Sequence, residues 1–180
     1  ENNRVETEKE GRKMKCIDGG VTSAKGFQAA GIAAGIKKGN TKDMAMIYSE
    51  KPCTTAGTFT TNLVKAAPVK WDQKVVYEAP YTQAVVCNSG IANTCNADGV
   101  EKARGMCEIT AKALGIAPTD VIVASTGVIG QPLDLSPVEQ GMPQLIGELS
   151  KAGSDHAAQA IMTTDTRKKE FALTLSLIHI

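Results

Sequence analysis

The chain has 180 residues, and twenty Lys and Arg against nineteen Asp and Glu leave a formal net charge of +1. That balance, with no basic stretch interleaved with aromatics, argues against nucleic-acid binding, and the lack of any run of about eighteen apolar residues gives no membrane-spanning segment. Five cysteines (Cys16, Cys53, Cys87, Cys95, Cys107) form no C-x-x-C pair and have two histidines for company, which supports neither a disulfide framework nor a zinc site. A reducing compartment, the cytoplasm, with Cys87 and Cys107 as small buried side chains, is the expectation.

From the start of the chain, residues 1–13 hold one apolar residue, Val5, too little to order themselves, and read as a disordered leader or tail. Met14 is read as the true start. Residues 19–39 are rich in Gly and Ala, where strand and loop compete with helix. Residues 43–49 and 54–61 suit strands by composition; residues 83–87 and 121–124 read as short buried strands. Asp98 and Glu101 form a capping box ahead of Val100, Ala103, Cys107, Ala111 and Leu114, and Gly115 with Pro118 stops that helix. Ser136 and Pro137 repeat the start signal for a helix burying Val138, Met142, Leu145, Ile146 and Leu149. Ser154 or Asp155 caps a third helix reaching Met162. Residues 173–180 are an apolar, strand-like run read as a foreign or frameshifted tail. Without regular βαβ alternation, the class is α+β, a layered sandwich over residues 14–172.

Three segments are candidates for chemistry. Ser125, Thr126 and Gly127 fall just past a predicted strand, where free backbone N–H groups build either an oxyanion hole or a tight strand-to-helix connection with Ser and Thr bonding their own backbone. Residues 88–93 (NSGIAN) concentrate amides and a hydroxyl that hold substrate atoms or close a turn. Residues 162–166 (MTTDT) offer hydroxyls and a carboxylate to an amino acid's charged groups, or are an exposed helix end. His156, His179, Lys25 and Lys65 read as solvated side chains.

Together, GGVTSAKGF at 19–27, TTN at 60–62 with KAAP at 65–68, NSGIAN at 88–93, ASTGVIG at 124–130 and AIMTTD at 160–165 resemble the ornithine acetyltransferase (glutamate N-acetyltransferase) family. The resemblance runs from about Met14 to Ala172 and implies an N-terminal α-chain fragment of the family's layered fold, in which two sheets lie between helices. It implies acetyl transfer from N2-acetylornithine to glutamate in arginine biosynthesis, in some members also from acetyl-CoA. The precursor cuts itself at an Ala-Thr bond and the new N-terminal Thr is the nucleophile, with its α-amino group as base. Carried onto this chain, Thr126 and Gly127 match the oxyanion-hole pair, and Thr163, with Thr164 as the neighbouring register, matches a substrate-binding position. No metal or organic cofactor is implied.

Ile91 replaces the family's Asn, removing polar groups that could hold the loop. The Gly- and Lys-containing segment and the Ala-Thr-Met-Leu cleavage site, expected past residue 172, do not occur, so the nucleophile would come from a missing β-chain in a hetero-oligomer of α and β chains. The rival readings are a related self-processing amidase or aminopeptidase, separated by whether acetyl ends on glutamate or as free acetate, and a non-catalytic binding module.

Overall fold

The computed structural model describes residues 8–9 and 12–176, with side chains from Met14 onward. Two sheets form. The larger has strand order β3-β4-β5-β6, with β3 (Phe27–Ile32), β4 (Met44–Thr54), β5 (Tyr81–Ile91) and β6 (Val121–Val128). Its β3–β4 and β4–β5 pairs are antiparallel and its β5–β6 pair is parallel. The smaller pairs β1 (Glu8–Lys9), β2 (Arg12–Ile17) and β7 (Ala172–Leu175) antiparallel. Backbone pairing thus begins inside the segment read as a leader and continues across the expected boundary at residue 172, while residues 177–180 lie outside the described residues.

Strand alternation sends neighbouring side chains to opposite faces, so Met44 and Met46 are fully buried on one face while Ala45 and Ile47 serve the other. Three helices cover the first face: α1 (Ala67–Glu78), α2 (Gly99–Leu114) and α3 (Ser136–Gly147). Met106 and Cys107 of α2 and Val138, Met142 and Leu145 of α3 meet Met44, Met46, Val86, Val121 and Val123 of the sheet in one continuous core. Each such large apolar side chain contributes about 2 kcal/mol relative to exposure.

Of the described helices, α4 (Ser154–Ala160) lies on the second face and approaches on small residues, Ala29 and Ala45 against Ala157 and Ala160. Gly31 is required there, since a Cβ would lie 2.1 Å from the His156 carbonyl oxygen. Ahead of α4, Ser150 exchanges backbone hydrogen bonds with Ala29 at 3.0 and 3.1 Å and anchors the segment to the sheet edge.

Several expectations are corrected. The sequence between 54 and 61 leaves the sheet after Thr54, because its run of threonines and Gly57 brings no apolar alternation to bury. Helix α1 is absent from the expected elements: its β-branched residues imitate a strand, yet Pro68 in its first turn and Val75 on its buried side are helix signals. The capping box at Asp98 does not form, as no side-chain cap bond is made, and Val100 is exposed while Met106 takes its place in the core. The next helix begins at Ser136 rather than after it, with Ser136 N–H donating to Asp134. The last helix stops at Ala160, short of Met162. One parallel βαβ unit does exist, β5–α2–β6. The α+β class stands.

Candidate functional site at the ends of the parallel strands

The parallel pair brings two of the candidate segments side by side: Asn88, Ser89, Gly90 and Ile91 face Ser125, Thr126, Gly127 and Val128 in register. Neither segment is a turn or lies past a strand, as the residue types suggested. Asn, Ser and Gly favour turns locally, but a complete ladder partner outweighs that preference. Ser125 does not bond its own backbone either, since its hydroxyl is buried without a partner. Ile91 closes β5 and packs on the main core, and the Asn88 side-chain amide donates to its carbonyl at 2.8 Å. Apolar packing supports this segment where the family's Asn would offer polar groups.

A parallel ladder turns the peptide groups of alternate residues toward the neighbouring strand. Ala92 N–H donates to the Val128 carbonyl at 2.9 Å, whereas Val123 N–H points away and donates to Asp72 Oδ1 at 3.0 Å. By this alternation the odd-numbered residues of β6 direct N–H groups to its open side, and Gly127 is one of them. Gly127 has φ +132, and a Cβ there would stand 2.3 Å from the carbonyl carbon and oxygen of Gly90. Only glycine permits this backbone-to-backbone approach.

Thr126 projects on the α4 side with Ser89 and is half-buried. The Ser89 hydroxyl donates to the Ala160 carbonyl at the end of α4, and two residues later Met162 leads into Thr163 and Thr164, both exposed. The chain therefore places the Thr126–Gly127 and Thr163–Thr164 candidates at one end of one sheet. The carboxylate of this segment is already engaged: Lys169 donates to Asp165 at 2.5 Å, holding its carboxyl below the usual range together with the Thr163 N–H. What the segment offers to a ligand is its hydroxyls.

Two residues of this site escaped the sequence reading. Asp43, fully buried, accepts backbone N–H groups of Ala34, Gly35 and Lys37 at 2.7, 3.2 and 2.8 Å and so shapes the loop between β3 and β4. Lys37 then donates through Nζ to the Met162 carbonyl at 2.5 Å and to the Lys42 carbonyl at 3.2 Å. Burial lowers its pKa from the ordinary lysine value, opposed by the charge of Asp43. For Asp43, a polar loop closing on an aspartate was the available signal. Lys25 is exposed and His156 lies exposed on α4, while Lys65 lines a separate hollow with Lys70 and Cys95. His179 lies outside the described residues.

On the α4 face, a cavity of about 300 Å³ is lined by Ala45, Ile47, Cys87, Ala157, Ile161 and Phe171 among others. Burial, and after it the charge of Asp72, pushes the Cys87 thiol up to about 12, so it is no nucleophile at neutral pH. The same causes push Cys107 up to about 12. Among the described residues no helix is long and apolar enough to cross a membrane.

Comparison with known proteins places the fold. The chain is 50% identical over 158 residues to the arginine biosynthesis bifunctional protein ArgJ 1 of Clostridium acetobutylicum and 46% identical over 158 residues to ArgJ of Thermosynechococcus vestitus. Each match covers 87% of this chain and 38% of the relative, so the chain spans less than half the length of these relatives. Among solved structures, ArgJ of Bacillus halodurans superposes with a TM-score of 0.85 at 36% identity, covering 92% of this chain and 87% of that one. The ornithine acetyltransferase of Mycobacterium tuberculosis, complexed with ornithine, superposes with a TM-score of 0.82 at 38% identity, covering 91% and 88%. Residues 28–179 match the ArgJ family, and the chain belongs to that family.

Proposed function

We propose that the complete protein transfers the acetyl group of N2-acetylornithine to glutamate in arginine biosynthesis in the cytoplasm, and that this chain supplies the oxyanion hole and part of the substrate pocket. The nucleophile is the N-terminal Thr of a second chain. Its hydroxyl attacks the acetyl carbonyl, its α-amino group takes the proton, and a tetrahedral oxyanion forms. Collapse expels the α-amine of ornithine with that proton and leaves an acetyl ester. The amine of glutamate then attacks the ester, and the threonine hydroxyl is regenerated. Acetyl-CoA is a second donor to the same ester in a bifunctional enzyme.

Within this scheme the Thr126 hydroxyl and the Gly127 N–H donate to the oxyanion, while Thr163, with Thr164 beside it, holds the amino-acid substrate. The observation that carries the reading is Gly127, where a Cβ would meet the Gly90 carbonyl at 2.3 Å; ladder alternation then turns its N–H to the open side of β6, next to Thr126. A donor fixed by the fold costs no reorganisation when charge develops. The Mycobacterium tuberculosis enzyme is complexed with ornithine, which supports the substrate class. The α/β assembly is supported by lengths: this chain covers 87% and 88% of the two crystal chains but 38% of the full-length relatives.

The test uses the complete protein. Thr126→Ala should lower kcat for glutamate acetylation by about a hundredfold, equivalent to roughly 3 kcal/mol of lost oxyanion stabilisation, with Thr126→Ser retaining most of it. A Thr126→Ala enzyme within twofold of the parent would defeat the reading. Acetate released in place of acetylglutamate would convert it to a hydrolase.

A further inference from the structure

We infer that Lys37 is a positioning residue of this site, holding the Met162–Thr164 segment against the ends of β5 and β6; the inference rests on the acetyl-transfer reading above. Three observations converge on it. Its backbone is fixed from behind, because the buried Asp43 carboxylate takes the Lys37 N–H at 2.8 Å along with those of Ala34 and Gly35. Its stem passes the strand end, with Cγ 2.9 Å from where a Cβ of Gly90 would lie, and the carbonyl of that same glycine is what a Cβ at Gly127 would meet. Its ammonium reaches the Met162 carbonyl at 2.5 Å, the residue immediately before Thr163.

A lysine ammonium has three donors and no acceptor, and a donor carrying full charge makes a stronger bond to a carbonyl than a neutral one. Met162 lies two residues past the end of α4, so its carbonyl has no place in the helical ladder. Lys37, from the loop between β3 and β4, donates to it. Two segments separated by 125 residues in sequence are thereby held at a fixed distance. The Thr163 and Thr164 hydroxyls are presented to substrate at a place set by Lys37, which itself bonds neither hydroxyl. Loss of the tie should be felt in substrate binding more than in the chemistry at Thr126 and Gly127.

The experiment is a double-mutant cycle in the complete protein with N2-acetylornithine as donor and glutamate as acceptor. Lys37→Met should raise KM for acetylornithine about tenfold, the scale of one charge-assisted hydrogen bond, with kcat within about threefold. On a Thr163→Ala/Thr164→Ala background the same change should add less than about twofold, since it acts through those residues. An unchanged KM, or a full multiplicative effect on that background, overturns the inference. Should Lys37→Met yield no folded protein, Lys37→Arg serves: its planar head misfits two carbonyls set for an ammonium, so KM rises about threefold, and an unaltered KM again overturns the assignment. Thr126→Ala, measured beside these, separates the two ideas. Its loss of kcat with an unmoved Lys37→Met KM sinks Lys37 alone, and the converse pattern retains Lys37 and sinks the oxyanion reading.

Discussion

The two faces of the larger sheet are stabilised in different ways. The face under α1, α2 and α3 is filled by large side chains, with Met44, Met46, Met106, Met142 and Leu145 almost wholly buried. The face under α4 is held by alanines and by Gly31, with backbone close to backbone. The first resists through transfer of apolar area from water; the second resists through fit. A filled core loses stability when a side chain is cut away, whereas a contact made by missing side chains loses it when one is added. The proposed site stands on the second kind of contact, at Gly90 and Gly127, because a backbone donor can be placed rigidly only where nothing intervenes.

Substitutions can break this contrast in turn, and all are best measured by chemical denaturation of the complete protein. Leu145→Ala opens a hole in the large core and should cost about 3 kcal/mol, with a loss near 1 kcal/mol meaning that the helical face collapses around it. Gly31→Ala adds one methyl against the His156 carbonyl at 2.1 Å and should cost about 2 kcal/mol. Its distinguishing sign is loss of amide protection confined to α4, and uniform loss across α1–α3 would show that the two faces are not separate.

Asp72 sharpens the comparison through pH. It sits on α1, accepts the Val123 N–H at the outer edge of β6, and burial raises its pKa from 3.8 to about 7. The folded chain therefore keeps a proton that the unfolded chain has released, so the Asp72 contribution is fully present below pH 3.8 and is lost as pH rises through about 7. Asp72→Asn keeps an acceptor for Val123 without titrating. Relative to the parent it should gain on the order of 1 kcal/mol between pH 4 and pH 8, a figure reduced because the half-buried group is screened by water. Parallel pH curves for parent and variant would remove the charge from the account. Smallest of all, Lys74→Ala breaks an exposed pair with Glu78 at 4.0 Å and should change stability by less than about 0.5 kcal/mol.

The helices α2 and α3 were legible because their apolar residues recur at three-to-four spacing and Gly115 and Pro137 mark ends. The helix α1 was not, since Val69, Val75 and Val76 satisfy a strand pattern equally well. The site segments were legible as unusual clusters of Gly, Asn, Ser and Thr, while their strand conformation was hidden by the turn preference of those same residues. Lys37 could not be read at all. Its partner Met162 lies 125 residues away, and nothing in local spacing marks a lysine that will meet a distant carbonyl.

Periodicity and short motifs are local properties, so the α+β class, three of the four described helices (α2, α3 and all but the end of α4), the central strands and the family are readable from residue order alone. Folding alone sets Asn88–Ile91 and Ser125–Val128 side by side as a parallel pair, brings Gly127 against Gly90, and lets Lys37 span to Met162. These are contacts between distant segments, and their energies depend on which backbone groups the fold leaves facing one another.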